Sequence, residues 1–200
     1  MSKTHDHEIV SIYPFSEEEV NGLMETASEA VLMWSTQDGW PVGVTHAFFW
    51  HDDKIWITFT AQRHRAAAIR RDNRVSVNVS SQSYPDGASA DLPSGAITFK
   101  GTGEFFDDDE TKEWFYTALS TKVSLGNSDV QKSFYSLLDS PLRTILAVTP
   151  VKKIMYNAGT AARHMSDGGV DESELGERQS GDLERMNKER AKRGLDPRSA

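Results

Sequence analysis

Arg63, His64 and Arg65 stand where an alternating apolar stretch, IWITFT, gives way to AAAIRR, and Thr58 and Thr60 lead into them. These residue types suit one chemistry above others, the binding of a phosphate or a similar anion. Guanidinium forks make paired, charge-assisted hydrogen bonds to phosphate oxygens, and hydroxyls add further donors. A helix N-terminus contributes unpaired backbone N–H groups and the positive end of its dipole. The whole chain is acidic, with a formal net charge of −8, so a positive cluster at this junction is a local exception. A solvated basic helix start is the competing reading from local sequence alone. Arg70 and Arg71, farther along the same segment, read as a solvated face.

The other residues capable of chemistry form weaker patterns. His5 and His7 make a terminal HxH pair and share no ligand spacing with His51, so no metal site is expected. Asp107-Asp108-Asp109-Glu110 reads as an acidic helix start that complements the dipole. His46 lies within a strand pattern, where a hydrogen-bonded core role competes with a role as proton donor near neutral pH. His164, in AARHM, reads as a surface residue. Asn78-Val79-Ser80 matches a glycosylation sequon but falls on an expected interior strand. The chain has no cysteine, which excludes disulfides and thiolate metal sites.

The elements that must position these residues are short. A capping box at Ser16 and Glu19 opens a helix over Phe15–Ala30, with Val20, Leu23, Met24 and Ala27 at helical spacing. Strands follow over Glu29–Ser35, Pro41–Trp50 and Lys54–Thr60, joined by turns at Gln37-Asp38-Gly39 and His51-Asp52-Asp53, which gives an antiparallel meander. Arg63–Arg71 is a short helix and Arg74–Ser80 a fourth strand. Ser81–Gly95 is a long loop rich in Pro and Gly. Ala96–Phe106 is a fifth strand whose Gly101 and Gly103 mark a bulge or a close backbone approach. Helices over Asp108–Leu119 and Ser128–Leu138 precede a sixth strand, Arg143–Val148, which Pro150 breaks; Val151–Tyr156 extends the sheet. Trp34, Trp40, Trp50 and Trp56 fall on strands and are expected to be buried in the core or an interface.

Composition bounds the rest. With 200 residues, 38% of them hydrophobic, the chain suits one domain plus a tail. We expect a loosely ordered segment over 1–14, a domain over 15–165 and a charged, disordered tail over 166–200. The acidic balance argues against nucleic-acid binding, which needs a basic face. No apolar run reaches the length of a membrane span, and the N-terminus lacks a signal core. A cytoplasmic location is therefore expected. The expected fold is mainly β with α insertions, a six- to seven-stranded antiparallel β-barrel.

The order of these elements resembles the pyridoxamine 5′-phosphate oxidase-like family of FMN-binding split β-barrels, related to the flavin/deazaflavin oxidoreductases. The resemblance rests on GWPVGVTHAFFWHDDKIWITFT (Gly39–Thr60), RHRAAAIRRDNRVSV (Arg63–Val77) and ITFKGTGEF (Ile97–Phe105). It implies a homodimer with FMN between the subunits and a small-molecule substrate. It also implies that Arg65 grips the cofactor phosphate beside Arg63 and His64. Phe59-Thr60 matches the pair that ends strand three, with Thr58 just before it. Val44, Thr45, His46 and Ala47 match the segment along the flavin ring, where His46 could donate to the flavin or a substrate. The family implies two-electron or hydride transfer through the flavin. The deazaflavin coenzyme F-420 in the same site is the alternative, and a non-catalytic flavin- or haem-binding protein is another, with His164 as the haem candidate. Two departures argue against pyridoxamine phosphate oxidase itself: the C-terminal KKIMYNAGTAARHM lacks the arginine-rich substrate pattern, and Ala96 replaces a strand-five glutamine. Thr45 stands where relatives carry a proline.

Overall fold

The computed structural model describes residues 13–166, 169–176 and 182–198. Most of the expected N-terminal segment, 1–14, lies outside the described residues. Ser16 caps α1 (Glu17–Thr26) through the expected box: its hydroxyl accepts from the Glu19 N–H, and the Glu19 carboxylate accepts from the Ser16 N–H. The meander follows as β1 (Glu29–Ser35), β2 (Pro41–His51) and β3 (Lys54–Thr60), then α2 (His64–Arg71) and β4 (Arg74–Ser80). After the long loop come β5 (Gly95–Phe106), α3 (Asp109–Ser124), α4 (Ser128–Leu138), β6 (Arg143–Asn157) and α5 (Ala158–Met165).

The six strands close into an antiparallel barrel in the order β1-β2-β3-β6-β5-β4. Alternation along each strand sends one set of side chains inward and the other out. Leu32, Phe48, Ile57, Val77, Phe99 and Leu146 fill the interior and are fully buried. A second core lies outside the wall, where Trp56, Ile145 and Ala147 meet Phe115, Tyr116 and Leu119 of α3 and Leu138 of α4. Helix α1 adds Val20, Leu23 and Met24 to the interior near where β1 begins. Helix α2 adds Ala66, Ala68 and Ile69, and its Arg71 bonds the Ser35 carbonyl where β1 finishes.

The structure departs from the sequence reading at several points. β6 is not broken at Pro150. It runs on because Gly101 faces Pro150 while Lys100 faces Lys152, leaving Val151 as the extra residue of a bulge. A proline, which has no N–H to give the ladder, is tolerated there. Trp40 is not buried: it sits in the turn before β2, 69% exposed. Helix α3 runs on to Ser124, beyond the expected end at Leu119. Residues 158–165, unassigned from sequence, form α5, whose N-cap Asn157 accepts from the Thr160 N–H. In the segment expected to lack structure, 166–200, Asp182–Lys192 is a helix, α6, and Arg163 pairs with Glu174 at 2.7 Å. Charged i,i+3 pairing such as Lys192 with Glu189 supports α6 without an apolar stripe.

Candidate functional site

The junction of β3 and α2 is built by local hydrogen bonds. The Arg63 N–H donates to the Thr60 carbonyl at 3.0 Å, and the Ala66 N–H donates to the Arg63 carbonyl at 2.9 Å. Arg63 stays extended as the N-cap (φ −67°, ψ 142°), and its Nε donates to the Thr60 hydroxyl at 3.2 Å. The N–H groups of His64 and Arg65 lie in the first turn, where a helix offers no acceptor. The burial of Ala66, Ala68 and Ile69 fixes the rotation of α2 and leaves His64 exposed and Arg65 half-buried.

Arg65 turns toward the barrel. The β2–β3 ladder pairs only Phe48–His51 with Lys54–Ile57, so His46 and Phe59 lie beyond its end. Arg65 bridges the two strands there. Its Nη1 is 2.5 Å from His46 Nε2, and its guanidinium carbon lies 5.5 Å from the Phe59 ring centre and 5.7 Å from that of Trp34. An arginine only donates, so His46 Nε2 accepts and the ring proton sits on Nδ1. Burial first, then the charges of Arg65 and Arg143, hold His46 down at about 4. Burial also lowers Arg65, aided by Arg63, and lowers Arg143.

Arg143 faces Thr60 across the β3–β6 ladder. It thus joins Arg63, Arg65 and the Thr60 hydroxyl at one end of the wall. Among the described residues no carboxylate lies at ion-pair distance from any of these three arginines, although Arg70, Arg74 and Arg163 all have acidic partners. Three guanidinium groups, a hydroxyl and helix-start N–H groups fit a phosphate monoester.

The remaining expected site residues divide between the two faces of the wall. Val44 packs against the interior core and Phe59 is buried in it. Thr45 is exposed on the outer face, and Ala47 packs with the outer core. Thr58 is buried and its hydroxyl donates to the Thr144 carbonyl at 2.9 Å, which commits it to the wall. Thr60 is half-buried at the strand end. Sequence reasoning missed Arg143 and Trp34 as members of the cluster. Only the β3–β6 register and the closure of the barrel bring them there. His164 lies apart, its Nδ1 2.9 Å from the Tyr13 hydroxyl and its ring against that tyrosine.

A groove of about 720 Å³ crosses the outer face elsewhere, lined by Met33, Pro41, Ser76, Thr102 and Val151 among others. It shares Trp34 with the Arg65 contact but none of the three arginines. Among the described residues no group of three or more His, Asp or Glu could hold a metal ion, and no helix is long and apolar enough to cross a membrane.

The chain matches the family model described as pyridoxamine 5′-phosphate oxidase over residues 16–157. No curated protein matches its sequence. Among solved structures, it is similar to a conserved hypothetical protein of Mycobacterium tuberculosis, with 19% identity and a TM-score of 0.60 over 73% of this chain and 87% of the other. A Listeria innocua protein classed provisionally as a pyridoxamine 5′-phosphate oxidase gives 17% identity and 0.52 over 70% and 98%. The haem storage protein HutZ of Vibrio cholerae gives 10% identity and 0.50 over 70% and 95%. At these identities the likeness shows the fold.

Proposed function

The chain belongs to the pyridoxamine 5′-phosphate oxidase family, and from that premise we propose that it is an FMN-dependent oxidoreductase acting on a small molecule in the cytoplasm. The observation that carries this reading is the cluster of Arg63, Arg65 and Arg143 with no carboxylate partner among the described residues. Mutually repelling cations held together need an anion to offset them. Arg65, Arg63 and Thr60 would hold the cofactor phosphate, with Arg143 beside them. The exposed Thr45 would lie toward the ring on the outer face of β2. When bound, FMN supplies two-electron or hydride transfer at its N5 position. The chain's own part is to bind the phosphate, orient the ring along the wall and keep water from it.

A second copy of the chain supplies the cover. The groove lined by Trp34, Met33 and the exposed Val151 supports a homodimer, because apolar side chains at an open groove favour association. A deazaflavin would present its phosphate to the same arginines, and the Vibrio neighbour is a haem storage protein, so the visible spectrum of the purified protein separates the three. Flavin absorption, native or after FMN is added, supports the proposal, and a Soret band with no flavin uptake overturns it. Arg65→Ala removes a charge-assisted contact and is expected to weaken FMN binding by about 1.5–3 kcal/mol, roughly 10- to 150-fold in Kd. Fluorescence quenching of titrated FMN measures this, and an unchanged Kd refutes the phosphate grip.

A further inference from the structure

We propose that His46 is a positioning residue for the anion site: its neutral imidazole, protonated on Nδ1, accepts the Arg65 Nη1 hydrogen bond and so aims the rest of the guanidinium fork at the ligand's phosphate. The proposal rests on the phosphate reading above and adds a residue to it.

Arginine is long, and a free guanidinium samples many rotamers, so a fixed fork needs a fixed partner. Here the partner is on β2, beyond the point where β2 and β3 stop pairing. The Arg65–His46 bond, at 2.5 Å, ties α2 to β2 across that gap. Trp34 and Phe59 lie against the same guanidinium and confine its plane. Among the described residues, Arg65 makes one hydrogen bond, from Nη1 to His46, so Nε and Nη2 keep donors for an anion.

The surroundings keep His46 neutral. The charged groups that face it are Arg65 from α2 and Arg143 from β6, both cationic, and the Phe59 ring of β3 lies 5.8 Å away. Among the described residues no carboxylate pairs with the imidazole. A second proton would put a third positive charge at this spot and remove the acceptor that holds Arg65. His46 is therefore an acceptor at neutral pH and not a proton donor to substrate.

Two substitutions separate the acceptor from the ring. His46→Gln places a carbonyl oxygen near the position of Nε2, and His46→Phe keeps an aromatic ring without an acceptor. FMN, riboflavin and inorganic phosphate are titrated into wild type and both variants. With one charged hydrogen bond's orientation lost, His46→Phe is expected to raise the FMN Kd about tenfold. Riboflavin, which lacks the phosphate, binds unchanged, and His46→Gln stays within about threefold of wild type. The double variant with Arg65→Ala binds FMN no more weakly than Arg65→Ala alone. Nitrogen-15 NMR of the free protein supplies a reading independent of ligand: the neutral Nδ1–H tautomer between pH 5 and 8, with titration moving upward in Arg65→Ala.

FMN binding by His46→Phe equal to wild type overturns the proposal, as does equal loss of riboflavin and FMN. A proton on Nε2, or a charged imidazole at pH 7, overturns it as well. Wild-type protein that binds neither FMN nor phosphate overturns the phosphate reading and the aiming role with it, while the tautomer decides independently whether His46 holds Arg65.

Discussion

Lys122 offers a measurable test of how burial sets charge in this fold. It lies near the C-terminal end of α3, with its ammonium over the ring of the fully buried Phe48, 4.0 Å from the centroid, and one hydrogen bond to the Met24 carbonyl at 3.3 Å. Burial lowers its pKa from 10.5 to about 8, partly opposed by Glu25. At about 1.36 kcal/mol per pH unit, that difference would cost the folded state at most about 3 kcal/mol where the amine is charged. Lys122 is only half-buried and keeps a carbonyl and a ring as partners, so about 1–2 kcal/mol is the better figure. The sign follows from proton counts. Between pH 8 and 10.5 the unfolded chain holds a proton that the folded chain has lost, so stability rises with pH through that window. Lys122→Met keeps the apolar stem and removes the charge. It is expected to stabilise the protein by about 1 kcal/mol at pH 7, after losing the ring contact. From pH 7 to pH 10, wild type should gain about 1–2 kcal/mol relative to the variant. Urea unfolding at both pH values measures the four stabilities. Parallel pH dependence in the two proteins would show that burial does not depress this amine, and the reasoning would fail.

Two further substitutions test the packing. Gly95 sits at φ +134°, and a Cβ there would come within 2.0 Å of the Tyr156 carbonyl and 2.9 Å of the Ala158 N–H, so Gly95→Ala should destabilise by more than about 3 kcal/mol by denaturant titration. Thr144 is fully buried and its hydroxyl has no hydrogen-bond partner. Thr144→Val keeps its shape and its backbone carbonyl, which accepts from Thr58, and should leave stability unchanged or raise it by up to about 2 kcal/mol in the same assay.

Local patterns in the chain carried most of the scaffold. The bounds of β1, β3, β4 and α4 follow from alternation, from turn residues and from helical spacing, all of which are short-range. Pro150 misled because its meaning depends on what faces it: opposite a regular ladder residue it would end a strand, and opposite Gly101 at a bulge it does not. Helix α5 carried a signal that went unread, Asn157 three residues ahead of Thr160, a capping pair at the start of a small-residue run. The basic turn was legible because all its donors are neighbours in sequence. Arg143 and the His46–Arg65 bond were not, since strand register and barrel closure alone set those distances. Thr58 shares its face of β3 with Thr60, but its hydroxyl donates to the Thr144 carbonyl on β6, a partner that only the β3–β6 register supplies.

The filled barrel interior separates two kinds of tolerance to sequence change. Leu32, Phe48, Ile57 and Val77 alternate along their strands with outward residues such as Met33, Thr58 and Ser76. Substitution of the first set alters melting and leaves the outer surface in place. Substitution of exposed members of the second set alters what the surface meets at little cost to folding. Such a wall can exchange one ligand for another while its lining stays fixed. The mouth between β2 and β3 is where that freedom ends, because Arg65 there belongs to both sets at once.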